Sequence, residues 1–331
     1  MKRIGVFTSG GDAPGMNACI RAVVRKALSL QFEVIGIRKG FCGLISGDFM
    51  ELKSRSVGDI LQRGGTILQT ARCEEFKTEG GRAKAFLQMK TCKIDALIGI
   101  GGNGTFTGLK EFSKMGIPII AIPATIDNDV DCTEYSIGFD TACNTVVSAI
   151  NNIRDTATSH ERTYVIEVMG RHSGNIALVA GLAGGAESIL IPEVSFDINR
   201  VCEKILAGME KGKKHSIVVV AEGACRQSEH FSDCEGSAYH IGRQIRSITG
   251  LDTRITVLGH IQRGGTPTVN DRILASKLGA KAVELLEDDI LNATVGVCEG
   301  KICTYSISDA LCIKRHVNLK YLELVDIMSG I

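Results

Sequence analysis

Short, apolar, β-rich runs alternate with longer helical stretches along most of this chain, and that alternation restricts its fold more than any other feature. Residues 3–8 form the first run and precede a helical pattern over 16–30. The next run is 33–37; then 96–100 leads to a helical pattern over 107–115, and 117–122 follows. Strands and helices in this order imply a parallel sheet with helices on both faces. The pattern then repeats, with runs at 163–168, 188–191 and 216–221 interleaved with helical stretches at 174–183 and 199–208. The chain is therefore expected to be α/β with two similar lobes, divided near 138–141, and its 331 residues suit two domains of roughly 100–200 residues each. No Pro- or Ser-rich linker marks the division. Residues 223–239 are polar and rich in Gly, Ser, Glu and Cys, which predicts a surface loop.

A formal net charge of +1 gives no global attraction for nucleic acid or for an anionic membrane, so basic residues must matter locally. No apolar run approaches the ~18 residues of a membrane span, and no signal-peptide pattern precedes the first strand, so the expected compartment is the cytoplasm. The 12 cysteines show neither Cys-x-x-Cys pairs nor a neighbouring His at metal-ligand spacing. They read as free thiols of a reducing compartment.

The run 117–122 delivers Thr125, Asp127 and Asp129 into the turn that follows it. In open parallel sheets ligands occupy the crevice beyond the carboxyl ends of the strands, where a carboxylate can take a proton from a hydroxyl nucleophile. Thr, Asp and Asn also favour turns and helix caps, so the segment alone leaves both readings open. Two glycine-rich junctions weigh on the side of chemistry. Residues 8–17 and 99–105 each run from a strand through glycines toward a helix, which lets backbone N–H groups approach a phosphate. Neither carries the Gly-Lys-Ser/Thr of a P-loop. Gly99, Gly101 and Gly104 satisfy a dinucleotide spacing, but the next strand ends in the Thr125–Asp129 turn instead of the single ribose-binding acid. Arg72, Arg162, Arg171, Arg254 and Arg263 stand near loop or strand ends, and forked guanidiniums suit phosphate oxygens. These features point to a phosphoryl donor and a phosphorylated substrate.

Taken together, TSGGDAPGMNA (8–18), GGT (64–66), GGNGT (101–105), TIDND (125–129), IGFDTA (137–142), EVMGR (167–171) and VLGHIQRGG (257–265) resemble the bacterial ATP-dependent 6-phosphofructokinases over almost the whole length. The exception is a longer segment around 223–239. The resemblance implies two three-layer αβα lobes with mainly parallel sheets. Residues 1–139 with about 262–312 would bind nucleotide, and 140–261 with about 313–331 would bind sugar phosphate. The implied reaction converts ATP and fructose 6-phosphate to ADP and fructose 1,6-bisphosphate. A pyrophosphate-dependent or broader sugar-phosphate kinase and a weakened regulatory homologue are the alternatives. Gly104 and Ala124 lack the Asp and Lys that mark pyrophosphate-dependent relatives, which favours ATP.

By the same resemblance Asp127 is the base, Thr125 lies beside the transferring phosphate, Arg72 and Arg171 stabilise its charge, and Gly11 belongs to the catalytic set. Gly11, Arg72, Cys73, Gly102, Asn103, Gly104 and Thr105 would hold ATP. Thr125, Ile126, Asp127, Met169, Gly170, Arg171, Glu222, His260, Ile261, Gln262 and Arg263 would hold the sugar phosphate, with Arg162 and Arg254 reaching in from a neighbouring subunit of a homotetramer. An effector site for ADP or phosphoenolpyruvate would use Arg21, Arg25, Ser54, Arg55, Asp59, Arg154, Gly185, Glu187, Lys211, Lys213, Lys214 and His215. Mg²⁺ would be held by Asn103 and Asp129 with the nucleotide; Asn103 stands where most relatives have Asp and keeps an oxygen without its charge.

Overall fold

A computed structural model describes residues 2–225 and 236–330. In chain order the elements are β1 (Arg3–Thr8), α1 (Met16–Ser29), β2 (Glu33–Ile37), α2 (Phe41–Ser46), β3 (Phe49–Glu51), α3 (Glu79–Thr91), β4 (Ala96–Gly101), α4 (Asn103–Ser113), β5 (Ile119–Pro123) and α5 (Phe139–His160). There follow β6 (Thr163–Val168), α6 (Asn175–Ala183), β7 (Ser188–Leu190), α7 (Ile198–Glu210), β8 (Ser216–Ala221), α8 (Ser237–Thr249), β9 (Thr253–Val257), α9 (Val269–Glu287), β10 (Ala293–Cys298), β11 (Lys301–Ser306), α10 (Ile307–Ala310) and α11 (Lys320–Ser329). They fall into two compact units, Met1–Thr141 with Arg263–Arg315 and Ala142–Gln262 with His316–Ile331.

Among the described residues the first unit has a seven-stranded sheet in the order β11-β10-β5-β4-β1-β2-β3. Its centre is parallel, while β3 and β11 pair antiparallel at the two edges. All six residues of β4 and all five of β5 are buried, which explains their continuous apolar composition: a strand covered on both faces has no polar side to alternate. Phe7, Phe41, Phe76 and Phe112 form a chain of ring contacts in this core, with successive centroids 5.0, 4.1 and 5.3 Å apart. The carboxylate of Asp271 on α9, buried by the fold, accepts hydrogen bonds from Gly138 N and Thr141 N at 2.8 Å and from the Thr141 hydroxyl. It therefore ties the first turn of α5 to α9. Burial pushes its pKa up against these three donors.

Two boundaries differ from the sequence expectation. Helix α4 begins at Asn103, not near residue 107, because Gly102 in an extended conformation accepts from both Thr105 N and Phe106 N and so starts the helix inside the glycine-rich motif. The run 117–122 becomes a strand only from Ile119: Pro118 lacks an N–H, although its carbonyl still accepts from Leu97 N at 2.9 Å.

The second unit has a four-stranded parallel sheet, β7-β8-β6-β9, among the described residues. Val165, Val218 and Val220 of its strands pack with Ile205, Ile241 and Ile245 of the helices in one cluster. The loop expected over 223–239 is only partly observed, since 226–235 lie outside the described residues. Its end is helical: Ser237 and Ala238 are fully buried in the first turn of α8, where Ala238 N donates to Glu167 at 2.8 Å. A buried carboxylate waiting on the adjacent strand was not legible in the local composition.

Candidate active site

In the first unit, the ends of β1, β4 and β5 carry the residues of interest. The turn after β5 is knotted by short side-chain bonds. Asp127 N donates to Thr125 Oγ1 at 3.2 Å, Ser136 Oγ donates to the Thr125 carbonyl at 2.7 Å, and Ser136 N donates to Asn128 Oδ1 at 2.8 Å. Asn128 adopts φ 50°, a left-handed conformation that Asn tolerates, and its amide donates to the Glu134 carbonyl at 3.0 Å. This arrangement holds Asp127 at 6% exposure and buries Ile126 completely, while Thr125 and Asp129 stay half-buried. The turn thus presents one largely desolvated carboxylate with a hydroxyl two residues before it.

The glycine-rich loop after β4 borders this turn, and the loop after β1 packs on that loop, with Ser9 N donating to Ile100 O at 3.0 Å. Ala124 N donates to Gly101 O at 3.0 Å, and a side chain at Gly102 would meet the Thr125 side chain from 3.6 Å. Asn103 donates its Nδ2 to the Asp129 carbonyl at 2.7 Å, which leaves Asn103 Oδ1 as the amide oxygen available to a ligand. In the loop after β1, a side chain at Gly11 would run into the guanidinium of Arg263, whose Nη1 donates to Asp12 O at 3.2 Å. Glycine is required there by close approach. Asn17 on α1 secures the GGT loop: its Nδ2 reaches Arg63 O and Gly64 O at 3.1 Å each, and Ile67 N donates to its Oδ1 at 2.8 Å. Arg72 is exposed and Cys73 half-buried in the extended stretch beyond that loop.

The second unit carries the other residues. Gly170 N and Arg171 N donate to Glu222 Oε1 at 3.3 and 2.7 Å, so Glu222 shapes the loop after β6 through one oxygen. The loop needs that support, since Arg171 sits at φ 54° and Gly170 at φ 143°. Met169 N donates to Oε1 of the fully buried Gln262, whose Nε2 donates to Gly259 O at 3.0 Å, whereas His260 and Ile261 are exposed. Arg162 and Arg254 converge on Asp252 Oδ2 at 2.7 and 3.1 Å, and Arg246 reaches Oδ1 at 3.6 Å. Partial desolvation works against charge on Asp252, but the Arg162 hydrogen bond and the Arg254 charge outweigh it and leave the carboxyl below its ordinary range. Asp252 and Arg246 were not singled out from sequence. The signal was present in Asp252 and Arg254, two residues apart at a strand start, a spacing that puts both on one face.

A cavity of about 320 Å³ in the second unit is lined by Arg154, Gly185, Glu187, Lys213, Lys214 and His215 together with Val325, Met328 and Ser329 from α11. Arg154 binds the Gly184 and Gly185 carbonyls and lies 3.3 Å from His215 Nε2. Lys213 Nζ donates to Ser329 O at 2.7 Å and pairs with the buried Glu187 at 3.5 Å, while Lys211 approaches Gly330 O at the same distance. The wall supplied by α11 brings Val325, Met328 and Ser329 and meets Lys213 through a backbone carbonyl, which no motif could announce. Arg21 and Arg25 on α1, Ser54 and Arg55 in the short 3-10 turn Ser54–Val57, and Asp59 belong to the first unit.

Glycine-rich strand-to-helix junctions beside a buried carboxylate, on a parallel α/β frame, are the marks of a phosphotransferase. The phosphofructokinase family profile matches residues 3–286. The chain is 56% identical over 331 residues to the ATP-dependent 6-phosphofructokinase of Halothermothrix orenii, covering 99% of this chain and 100% of that one. It is 54% identical over 324 residues to that of Bacillus subtilis, covering 98% of each. Among solved structures, phosphofructokinase from Saccharomyces cerevisiae superimposes with a TM-score of 0.88 at 31% identity over all of this chain, which spans 48% of that longer one. A pyrophosphate-dependent phosphofructokinase from Marinobacter aquaeolei, at 20% identity, shares the fold with a TM-score of 0.85 over 98% of this chain and 91% of that one. This chain belongs to the phosphofructokinase family.

For a divalent cation, the described residues contain no cluster of three or more His, Cys, Asp or Glu that would hold one outright. Asn103 Oδ1 and the Asp129 carboxylate offer one neutral and one charged oxygen. That set fits Mg²⁺, which takes one or two carboxylates and completes its shell with phosphate oxygens and water.

Proposed function

We propose that this chain phosphorylates D-fructose 6-phosphate with ATP to give fructose 1,6-bisphosphate and ADP, the committing step of glycolysis. The observation that carries the reading is the Asp127 turn: a carboxylate largely out of water at the end of β5, held by bonds to its own loop and bordered by the glycine-rich junction after β4, on which the junction after β1 packs. The family relatives named ATP-dependent 6-phosphofructokinases, at 54–56% identity over nearly full length, support the same donor and acceptor.

Asp127 takes the proton from the sugar 1-hydroxyl as that oxygen attacks the terminal phosphorus. Thr125 hydrogen-bonds the moving phosphoryl group, and Arg72 and Arg171 meet the charge that builds on its oxygens. Positioning and charge neutralisation dominate such transfers. Gly11, Arg72, Cys73 and residues 102–105 hold the nucleotide in the first unit. Met169, Gly170, Arg171, Glu222, His260, Ile261, Gln262, Arg162, Arg254 and Arg263 serve the sugar phosphate. Asn103 and Asp129 would hold Mg²⁺ with the nucleotide, and when bound the ion neutralises phosphate charge.

The active form is a cytoplasmic homotetramer in which Arg162 and Arg254 serve a neighbouring subunit. No helix among the described residues is long and apolar enough to cross a membrane. The lysine- and arginine-lined cavity takes an anionic effector, ADP or phosphoenolpyruvate, and Arg21, Arg25, Ser54, Arg55 and Asp59 complete it from another subunit. A coupled assay for fructose 1,6-bisphosphate, with ATP and pyrophosphate compared side by side, tests the central claim. Turnover with ATP and fructose 6-phosphate is expected, and turnover with pyrophosphate alone would replace the donor.

A further inference from the structure

Two thiols stand on adjoining segments beside the proposed nucleotide-binding stretch. Cys42 is the second residue of α2, and its Sγ donates to the Arg72 carbonyl at 3.2 Å. That carbonyl belongs to the residue just before Cys73, so the Cys42 sulfur lies against the backbone that carries the second thiol. Both cysteines are half-buried, reachable by a small solute yet held by their surroundings. Phe41, one residue before Cys42, stacks on Phe76, three residues after Cys73, with ring centroids 4.1 Å apart. Upstream, Lys39 N donates to Leu68 O at 2.8 Å. The segments presenting the two sulfurs are thus fastened to each other at Lys39 and Phe41, just before Cys42, and at Leu68 and Phe76, on either side of Cys73, so an S–S bond of about 2.05 Å would join segments already held together.

We propose that Cys42 and Cys73 are a modification site: a peroxide converts them to a reversible intrachain disulfide that disables the adjacent Arg72. In the first step the Cys73 thiolate attacks one peroxide oxygen. The O–O bond breaks, a sulfenic acid forms, and the departing hydroxide takes a proton to become water. The Cys42 thiol then attacks that sulfur, the S–O bond breaks, the S–S bond forms, and the hydroxyl leaves as water with the Cys42 proton. Two thiols lose two electrons and two protons to one hydrogen peroxide, which gives one disulfide and two waters. A thiol reductant reverses the bond by exchange. Burial, and after it Cys73, push the Cys42 pKa up to about 11, which suits the protonated, second-acting member of the pair.

The consequence for turnover rests on the proposed role of Arg72 and Cys73 in holding ATP; the bond itself does not. Displacing a positioning group by about 1 Å costs on the order of 10²-fold in rate, so the disulfide is expected to lower turnover on that scale.

The test treats the full-length protein with hydrogen peroxide without nucleotide, then alkylates free thiols, maps the peptides and measures turnover in parallel. A Cys42–Cys73 crosslink, a mass loss of about 2 Da, and a fall in turnover, all reversed by dithiothreitol, are expected. Cys42→Ser keeps an oxygen to donate to the Arg72 carbonyl, so it should retain basal turnover while losing both the crosslink and the reversible inactivation. The proposal is overturned if the map shows other thiols oxidised and no Cys42–Cys73 link. It is equally overturned if the link forms without changing turnover, or if Cys42→Ser is inactivated reversibly like the parent chain. Should the reduced protein turn over no fructose 6-phosphate at all, the kinase reading fails instead, and the peptide map still decides the disulfide.

Discussion

The turn after β5 and the arginine cluster around Asp252 at the start of β9 handle charge in opposite ways. Asp127 is 6% exposed, in a loop whose geometry is fixed by bonds among Thr125, Asn128 and Ser136. Arg254 is 51% exposed at its side chain and Arg246 64%, and their shared partner Asp252 lies at the surface with them. A group that must move a proton needs a set position and a dry setting before the substrate arrives. Groups proposed to attract a phosphate gain from being open and exchangeable; here they pair with Asp252. The buried turn should therefore govern rate, and the exposed cluster should govern affinity.

The largest expected effect breaks or upholds the first half of that contrast. Asp127→Ser should lower turnover by about 10² to 10⁴, the scale of a lost general base. Fructose 6-phosphate binding, read by calorimetry, should survive. Near-normal turnover would remove Asp127 from the chemistry and reduce the turn to a structural motif.

For the arginines on Asp252, Arg162→Ala and Arg254→Ala should each raise the KM for fructose 6-phosphate by about 10- to 100-fold, since a charge-assisted hydrogen bond contributes about 1.5–3 kcal/mol. Turnover at saturation should change far less. If the loss instead fell on kcat with KM unmoved, these arginines would act in the transition state and the contrast would collapse.

A smaller effect is expected at Asn103, where charge and hydrogen bonding compete. Asn103→Asp adds a negative charge for Mg²⁺ but gives up the donor that now binds the Asp129 carbonyl at 2.7 Å. Oxygen-ligand affinity rises with the number of charged ligands. The half-saturating free Mg²⁺ at fixed ATP should therefore fall a few-fold in the variant. An unchanged value would mean that residue 103 acts only through its bond to the turn.

The sequence was most informative where one physical cause dominates. Alternating strands and helices with fully apolar β4 and β5 could only be a covered parallel sheet, and the glycine pattern marked the junctions at its carboxyl edge. It was least informative where distant residues supply the missing partner. The antiparallel edges β3 and β11 are short or half-exposed and carry no strong strand pattern. Helix α4 begins within a motif read as a loop, because its N-terminus is set by the Gly102 carbonyl and not by a capping side chain. The α11 wall of the cavity and the Glu167 carboxylate that receives α8 come from segments remote in the chain.

The smallest expected effect concerns the cavity, which lies between the two extremes: partly buried, yet built from cations. Burial, together with the charges of Arg154 and Lys213, holds the His215 pKa below its ordinary value of 6.5, while Glu187 pulls the other way. His215 is thus neutral at pH 7 and gains its proton only at lower pH than in an unfolded chain. Between the lowered pKa and 6.5 the unfolded state binds more protons, so acid costs stability there, and the penalty grows as pH falls. An anion in the cavity reverses the balance: it favours the imidazolium, so binding takes up part of a proton. Affinity for phosphoenolpyruvate should then rise as pH drops from 7.5 toward 6, by less than the tenfold per pH unit that one full proton allows. The ligand's own phosphate titrates in the same range, so the measurement is the difference in pH slope between the parent chain and His215→Gln, taken by fluorescence or calorimetric titration. The parent should show the steeper slope toward acid, and its thermal midpoint should fall faster than the variant's below pH 6.5. Identical slopes in both proteins would mean that the imidazole never meets the bound anion, and the cavity would then select its ligand through Arg154, Lys213 and Lys214 alone.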